Sequence, residues 1–488
     1  MLYRSTRTNF TATSPEAILM GLAPDGGLFV PARVDFPMLP WEALTKKELP
    51  EIVSDLIAAF FPELAPLSRS MARRAYEGRF DDPAYTPTVP LGDNLFVTEL
   101  FHGPTSAFKD VALSLLPHLL AASKDKVGIG EDITVLTATS GDTGKAALEG
   151  FRNVPGTRIV VFYPEGGVSA IQRTQMVTQT GENVAVAGIR GNFDDAQSGV
   201  KAIFRRFAED GSVRLSSANS INIGRLVPQM SYYFKAYGDL VKQGAVKAGD
   251  KVDFAVPTGN FGNILAGHLA HCMGLPVGRL ICASNANDVL YDFIRTGTYD
   301  RRRPFIRTNS PSMDILVSSN LERMIYFLSE EATMLKKLME NLADKGVYQL
   351  PRDLTARMQA LFYGARATDE EAAAALADTY RKSGYVADPH TAVALHAAGV
   401  YRAETESDRP IAVLATASPY KFSRPVLAAL GENAEGDEFE LIGRLARFTG
   451  VPVPAGLASL KNKEERHKDV IEKEEMEQFV LRQIEKKL

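Results

Sequence analysis

From residue 133 onward the chain alternates short β-branched hydrophobic runs with longer stretches whose apolar positions recur every three or four residues. The short runs predict buried strands at 133–137, 158–162, 183–186, 252–256, 280–283 and 411–415. The stretches between them predict helices, among them 145–151, 171–177, 196–207 and 264–273. This alternation predicts a parallel, doubly wound α/β sheet, in which ligands bind at the carboxyl ends of the strands.

The two ends of the chain show less of this alternation. Near the N-terminus the pattern predicts a strand at 28–30 and a helix at 49–61. In the last third it predicts helices at 316–328, 330–342, 369–383 and 390–398. The tail beyond residue 460 is charged and amphipathic, and we expect it to be a solvated helix docked by Ile471, Phe479, Val480 and Ile484.

A chain of 488 residues is too long for one compact core. We predict four parts, divided where the pattern changes. They are an N-terminal domain (1–95), a large α/β domain (96–132 and 221–460), a small mobile α/β domain (133–220) and a helical tail (461–488).

Composition and charge argue against several classes of partner. With a formal net charge of -4 there is no basic excess, so we expect neither nucleic acid nor an acidic membrane surface. No apolar run approaches the roughly 20 residues of a membrane span. Cys272 and Cys282 cannot build a disulfide framework, which favours a cytoplasmic location. His268 and His271 share a helical face with Cys272, but no further ligand completes a metal site, and we predict none.

The stretch 101–122 contains one lysine in an unusual place. A Gly-Pro turn leads through Thr105 and Ser106, either of which could be an N-cap, into a helix predicted over 107–122. Lys109 then falls in the first helical turn, where the helix dipole disfavours a cation. Such a lysine gives up its proton more readily, as an amine must in order to condense with a carbonyl cofactor. A lysine lying on a surface helix is the alternative.

Two glycine-containing loops each join a predicted strand to a predicted helix. In 259–263 the glycines let backbone N–H groups converge on an anion at a helix start, which predicts a phosphate site, with a tight structural turn as the alternative. The loop matches neither Walker A nor the dinucleotide fingerprint. The loop 139–144 carries four polar side chains and could bind a carboxylate. Asp142 would repel that anion unless it faces a group with which it shares a proton.

Together these motifs resemble a known family. Lys109 after an aromatic residue, the loop 140–144 and the loop 259–263 are similar to the three signatures of fold-type II pyridoxal-phosphate enzymes. The stretch 102–110 resembles the lysine motif of threonine synthases. Further similar segments lie at 5–7, 21–28, 219–225, 311–314, 384–390 and 415–419. The resemblance implies a tryptophan synthase β-like fold, with two doubly wound α/β domains and an N-terminal extension.

The resemblance also implies how pyridoxal 5'-phosphate is held. Lys109 would bind the cofactor as an imine and then act as acid and base. Asp142 would contact the ring hydroxyl, and Thr416 the pyridine nitrogen. The cofactor phosphate would be bound by Thr258, Gly259, Asn260, Phe261, Gly262 and Asn263.

The implied substrate is O-phospho-L-homoserine. Ser140 and Thr143 would hold its carboxylate, and Asn222 and Arg225 are candidates for its phosphate. The implied reaction is the last step of threonine biosynthesis, in which water and this substrate give L-threonine and phosphate. The alternatives are a phospho-lyase that releases 2-oxobutyrate and ammonia, a nicotinamide-dependent dehydrogenase on a similar sheet, and a cofactor-free binding protein. We expect a monomer or a homodimer.

Overall fold

The strands form one large sheet that is parallel except at one edge, one smaller parallel sheet and two small antiparallel sheets. The structure, a computed structural model, describes residues 1–32, 39–210 and 213–485, apart from the side chains at 194 and 208–210. In chain order the strands are β1 (Leu2–Ser5), β2 (Thr11–Thr13), β3 (Phe29–Pro31), β4 (Thr88–Gly92), β5 (Leu95–Glu99), β6 (Ile133–Ala138), β7 (Thr157–Pro164), β8 (Val184–Ile189), β9 (Leu215–Ser217), β10 (Val252–Pro257), β11 (Val277–Ser284), β12 (Thr298–Asp300), β13 (Val347–Gln349), β14 (Phe362–Arg366), β15 (Ile411–Ala415) and β16 (Asp469–Ile471).

Helices cover both faces of the two parallel sheets. In chain order the α-helices are α1 (Ser14–Met20), α2 (Trp41–Leu44), α3 (Leu49–Phe60), α4 (Ser68–Tyr76), α5 (Lys109–Leu113), α6 (Leu116–Val127), α7 (Asp142–Phe151), α8 (Ala170–Val177), α9 (Phe193–Asp210), α10 (Ile223–Leu226), α11 (Ser231–Lys242), α12 (Gly262–Cys272), α13 (Val289–Thr296), α14 (Leu321–Ser329), α15 (Ala332–Lys345), α16 (Arg352–Leu361), α17 (Asp369–Ser383), α18 (Pro389–Thr405), α19 (Ser423–Ala429), α20 (Glu438–Thr449), α21 (Ala455–Ala458) and α22 (Met476–Glu485). Short 3₁₀ helices lie at Pro62–Leu67, Val227–Met230, Pro311–Met313, Pro419–Phe422, Leu460–Asn462 and Lys473–Glu475.

The larger sheet has the strand order β14-β11-β10-β15-β5-β4. Its strands are parallel except β4, which pairs antiparallel with β5 at the edge. Every residue of β10 and β15 is buried, as expected for central strands that are covered on both faces. The predicted strands at 252–256, 280–283 and 411–415 are therefore confirmed. The antiparallel edge was not predicted.

The smaller sheet has the strand order β16-β8-β7-β6-β9 and is parallel throughout. Its outermost strand, β16, comes from the C-terminal tail, so the prediction of a tail made of helix alone was wrong. A short strand there pairs with the edge of β8, whose backbone groups would otherwise lack partners. Ile471, Phe479 and Val480 are buried against this sheet as predicted, and Ile484 is partly buried. The division of the chain into four domains stays a prediction.

The chain begins with an antiparallel sheet of order β2-β1-β3. Two buried charged residues of α14, Arg323 and Glu322, join this sheet to the rest of the protein. Arg323 is fully buried and donates from Nε to Phe29 O (2.9 Å) and from Nη2 to Ile221 O (2.6 Å). Beside it, Glu322 accepts hydrogen bonds from Thr6 Oγ1 at 2.5 Å and from Arg7 Nη2 at 2.7 Å.

Among the described residues, no helix is both long and apolar enough to cross a membrane.

The helix predicted over 107–122 is interrupted. It consists of α5 and α6, with Pro117 in the first turn of α6, where its missing N–H costs little. The N-cap of α5 is Phe108, so neither Thr105 nor Ser106 caps the helix. Similarly, the helix predicted over 316–328 begins only at α14, because a 3₁₀ turn and an extended segment precede it.

A glycine sets how closely α5 approaches α7. A Cβ atom built on Gly150 in α7 would lie 2.0 Å from Leu113 O at the end of α5. Such a contact is far inside van der Waals distance, so the two helices can adopt this separation only with glycine at this position. These helices carry Lys109 and Asp142 at their first residues.

Replacing Gly150 with Ala should lower the free energy of unfolding by about 1–3 kcal/mol, because the new methyl group overpacks the contact with Leu113. Urea denaturation measures this change. Gly399→Ala is the matched control, since a Cβ at this exposed helical position meets no atom within 4 Å. It should be neutral or stabilising by up to about 1 kcal/mol. Equal responses of the two variants would contradict the close packing of α5 on α7.

Candidate active site

Lys109 is the first residue of α5, in the first helical turn as predicted, and its side chain is only 13% exposed. Its Nζ lies 3.5 Å from Ser312 Oγ and 3.9 Å from Asp142 Oδ2. Burial lowers the pKa of Lys109 to about 8; Asp142 opposes the shift, whereas the charges of Lys421 and Arg225 add to it. Lys109 is therefore an amine that becomes neutral near physiological pH.

The turn before Lys109 is shaped by Asp110. The carboxylate of Asp110 accepts hydrogen bonds from Thr105 N at 2.8 Å and from Thr105 Oγ1 at 2.6 Å. A Cβ at Gly103 would lie 2.4 Å from the Cβ of Asp110, so only glycine fits there. Ser106 has a φ of 58°, which breaks the helical path and explains why α5 begins later than predicted.

Asp142 lies opposite Lys109 at the start of α7. Its Oδ1 accepts from Lys421 Nζ at 2.5 Å and from Gln172 Nε2 at 3.2 Å. Its Oδ2 accepts from Ser312 Oγ at 3.3 Å and faces Lys109. Burial alone would raise the pKa of Asp142, but the charges of Lys421 and Lys109 outweigh burial and hold this pKa well below its usual range. Two lysines that were not expected here thus offset the charge of Asp142, and the predicted contact with the ring hydroxyl of a cofactor stays a prediction.

The rest of the loop 139–144 presents free hydroxyl groups at a helix start. Thr139 Oγ1 accepts from the backbone N–H groups of Gly141 (3.0 Å) and Gly144 (2.9 Å), which fixes the loop. The side chain of Ser140 is exposed and that of Thr143 is half-buried. Within the described residues neither hydroxyl is hydrogen-bonded, so both can reach a ligand at the N-terminus of α7.

The loop 259–263 places the start of α12 beside the same site. Phe261 is its N-cap, with a φ of 61°, and α12 then begins at Gly262 with backbone N–H groups that have no partner inside the helix. A Cβ at Gly259 would lie 2.9 Å from Ser312 O, which shows how closely this loop approaches the segment that also contacts Lys109. Asn260 is exposed at the tip of the loop.

The two polar side chains that flank the tip of this loop differ in how far they are engaged. Thr258 Oγ1, just before the loop, donates to Val256 O at 2.7 Å. The Oδ1 atom of Asn263 accepts from Tyr232 and Tyr233, and its Nδ2 atom is buried without a partner among the described residues. The hydroxyl proton of Thr258 is therefore in use, whereas the amide of Asn263 keeps a donor that an anion could accept.

Three side chains at the site were not singled out from the sequence: Lys421, Ser312 and His390. Ser312 lies between Lys109 and Asp142, and its backbone N donates to His390 Nε2 at 3.1 Å. The Nδ1 atom of His390 lies 2.7 Å from Asp388 Oδ1. Because Nε2 accepts, the proton is on Nδ1 and the imidazole is neutral. The similar segments at 311–314 and 384–390 were the only sequence signal for Ser312 and His390.

Arg225 and Asn222, both predicted for a substrate phosphate, have different surroundings. Arg225 is 97% buried and donates from Nη1 to Ala218 O, while its Nε has no partner and no carboxylate pairs with it in the part of the chain that the structure describes. Burial lowers the pKa of Arg225 to about 10. By contrast, Asn222 Nδ2 donates to Ile18 O at 2.9 Å and to Ser217 O at 3.2 Å, so its amide is already engaged.

Thr416 directly follows β15 at the carboxyl end of the larger sheet. Its carbonyl oxygen accepts from Phe108 N at 2.9 Å, and Ser418 N donates to Ser106 O at 3.1 Å. These bonds fix the lysine loop to the end of β15. Lys109 and Asp142 thus lie close to each other and to Ser312, which the loop 259–263 also approaches, and Thr416 is tied to the residue before Lys109. The buried amine and the anion-binding loop fit a phosphate-bearing aldehyde such as pyridoxal phosphate.

Comparison with known proteins agrees with this geometry. The family described as "Pyridoxal-phosphate dependent enzyme" matches residues 83–417. Flanking matches are to "Threonine synthase N terminus" over 2–76 and "Threonine synthase, C-terminal" over 391–480. These matches, with the solved structure described below, confirm the predicted fold-type II architecture and the predicted cofactor, pyridoxal phosphate.

Individual relatives cover most of the chain. It is 38% identical over 484 residues to threonine synthase of Pseudomonas aeruginosa, covering 96% of this chain and 95% of that protein. It is 40% identical over 435 residues to human "Threonine synthase-like 1", covering 85% of this chain but only 58% of the longer human protein. A crystal structure of PLP-bound threonine synthase from Brucella melitensis superposes with a TM-score of 0.88 at 36% identity, covering 100% of both chains.

In the cofactor-free protein, Lys109 should react with an amine-specific acylating reagent with a titration midpoint near pH 8, because burial lowers its pKa. The rate should rise as the pH passes through this value, since only the neutral amine reacts. Mass spectrometry of the Lys109 peptide after brief labelling measures it. In urea-unfolded protein the midpoint should return to about 10.4. An unchanged midpoint on unfolding would refute the environment described for Lys109.

Proposed function

This chain belongs to the threonine synthase family of pyridoxal-phosphate-dependent enzymes, and we propose that it converts O-phospho-L-homoserine and water to L-threonine and phosphate. The observation that carries the proposal is the buried amine of Lys109, with its pKa lowered to about 8, beside Asp142 and next to the loop 259–263. The chain spans little more than half the length of the human relative. The activity is therefore proposed for the present chain and is not extended to the longer human protein.

We propose the cofactor contacts that the resemblance implies, and the arrangement of the site supports them. Lys109 Nζ would hold pyridoxal phosphate covalently, Asp142 would contact the ring hydroxyl, and the Thr416 hydroxyl would contact the pyridine nitrogen. The residues of the loop 259–263 and the start of α12 would hold the phosphate. When bound, the cofactor supplies an electron sink that makes protons on the α- and β-carbons of the substrate removable. A hydroxyl at the ring nitrogen does not force its protonation as a carboxylate would.

The proposed substrate contacts use the groups that remain free. Ser140 and Thr143 donate to the substrate carboxylate at the N-terminus of α7. Arg225 takes the substrate phosphate, because a buried guanidinium without a carboxylate partner is stabilised by an anion. Asn222 is not carried into this proposal, since its amide hydrogens are already donated to backbone carbonyls.

Lys109 then performs the proton transfers. Once the substrate amine has displaced it, its neutral Nζ removes the α-proton and holds it for later return. With a pKa of about 8, roughly a tenth of this amine is neutral at pH 7, enough to act as a base. Loss of a β-proton lets phosphate leave from the γ-carbon, which takes up a proton in return. Water then adds its oxygen at the β-carbon, and the proton that water gives up balances the one taken by the released phosphate. Ser312, hydrogen-bonded to both Lys109 and Asp142, orients the amine between these steps.

Lys109→Ala should abolish covalent attachment of the cofactor and turnover of O-phospho-L-homoserine. The parent protein should absorb as a yellow pyridoxal-phosphate enzyme, and borohydride should fix the cofactor to the peptide that contains Lys109. Absorption spectra measure cofactor attachment, peptide mapping identifies the labelled lysine, and release of phosphate and threonine measures turnover. Normal turnover by the Ala variant would refute the assignment. Formation of 2-oxobutyrate and ammonia in place of threonine would favour the phospho-lyase instead.

Arg225→Met should raise the KM for O-phospho-L-homoserine by about 10- to 100-fold, the loss expected for a charge-assisted hydrogen bond to phosphate. Steady-state kinetics with phosphate release measure it. Arg225→Lys keeps the positive charge, so its KM should rise less than that of the Met variant. Asn222→Ala is the contrasting variant and should lower thermal stability with a smaller change in KM. A normal KM in the Met variant would remove Arg225 from the substrate site.

We also propose a cytoplasmic location and a monomeric or homodimeric state. The two cysteines, Cys272 and Cys282, are both free, which fits a reducing compartment. Light scattering of the purified protein determines the oligomeric state.

A further inference from the structure

Lys421 is a buried cation that joins three loops around the site. Its side chain has no exposed area, and it follows β15 in the 3₁₀ helix Pro419–Phe422. Its Nζ donates to Asp142 Oδ1 at 2.5 Å and to Thr105 O at 3.2 Å. It therefore links the loop 139–144 to the turn that precedes Lys109. A fully buried lysine of this kind needs a carboxylate partner, and Asp142 is that partner.

The two oxygens of Asp142 are divided between two sets of neighbours. Oδ1 is occupied by Lys421 and Gln172, while Oδ2 faces Ser312 and Lys109. The carboxylate plane is thus fixed from one side, which leaves the other oxygen directed at the catalytic amine. Without Lys421, the carboxylate could rotate, and Oδ1 would lose its strongest donor.

The titratable groups that face Asp142 come from three elements. Lys109 belongs to α5, Lys421 follows β15, and His390 belongs to α18. His390 Nε2 accepts from Ser312 N, so His390 presents no proton there. Asp110 is the other buried carboxylate near Lys421. Lys109 must become neutral during the proposed reaction, so Lys421 is the cation beside Asp142 whose assigned role keeps it charged.

We propose that Lys421 is a positioning residue that keeps Asp142 ionised and reserves one of its oxygens for the cofactor and Lys109. This inference rests on the proposed function only in placing Asp142 beside the cofactor ring. Lys421 acts through Asp142 and touches no reacting atom. Its effect should therefore be seen as a change in how the carboxylate titrates.

The test uses the absorption band of the bound cofactor as a function of pH. In Lys421→Met the buried carboxylate loses its cation, so its proton affinity rises and an additional one-proton transition should appear between about pH 5 and pH 8. The parent protein should lack this transition. So should the double variant Lys421→Met/Asp142→Asn, in which Asp142 can no longer titrate, while the other buried carboxylate, Asp110, loses Lys421 just as it does in the single variant. A Lys421→Met spectrum that titrates as the parent does would overturn the proposal.

A matched control is available in α11. Lys235 is also a buried lysine, 7% exposed, and it pairs with Asp239 at 2.5 Å away from the site. Lys235→Met removes the same kind of ion pair and should leave the cofactor spectrum and its pH dependence unchanged. An additional transition in the Lys235 variant would show that any lost buried pair produces the effect, and would also overturn the proposal.

Thermal unfolding of the cofactor-free proteins tests the pair independently of the proposed function. Lys421→Met leaves a buried charge unpaired, so its unfolding temperature should fall further than that of the double variant Lys421→Met/Asp142→Asn. This ordering supports the proposal even if Lys421→Met folds too poorly to bind cofactor. Equal losses in the single and double variants would refute it. Failure of the proposed function would appear separately, as turnover that survives Lys109→Ala.

Discussion

The site depends on one buried carboxylate held between two lysines. Asp142 pairs with Lys421 through Oδ1 and faces Lys109 through Oδ2, and all three side chains are almost completely removed from water. In such surroundings each ionised group is stable only because the others are present. In the pair of Asp142 with Lys421 the two opposite charges balance each other. Lys109 is the remaining cation, and it is the one that burial and its cationic neighbours make easiest to deprotonate.

This arrangement requires segments that are distant in the sequence to approach closely, and glycines make that possible. Gly150 lets α7 lie against the end of α5, Gly103 leaves room for Asp110, and Gly259 brings the anion-binding loop against Ser312. At each position a single methyl group would overlap a neighbouring atom. At Gly150 and Gly259 the close contact is with backbone, and at Gly103 it is with the side chain of Asp110, so these glycines set how closely the segments around the site approach each other.

Much of this could be predicted from the sequence, because the signals are local. Buried strands appear as β-branched runs, and Lys109 was identified from its place at a helix start. Lys421 could not be found in this way, since nothing around it in the sequence indicates that its partner is a carboxylate at the start of α7. The strand β16 was missed for a similar reason: three residues carry almost no periodicity, and its pairing with β8 is set by tertiary structure. The predicted N-cap of α5 was wrong because a hydrogen bond from Thr105 N to Asp110 folds the residues before the helix into a turn.

The balance of charge explains why the same residues can both activate an amine and attract phosphate. Lys109, Lys421 and Arg225 bring three buried cations to the site. Asp142 offsets only one of them, and burial raises the pKa of nearby Asp110, whose oxygens are engaged by Thr105. Burial is the main reason that the pKa of Lys109 is low, and the charges of Lys421 and Arg225 lower it further against the opposing charges of Asp142 and Asp110. Under the proposed function, a phosphate held by Arg225 would favour the protonated form of Lys109, and its release would favour the neutral amine.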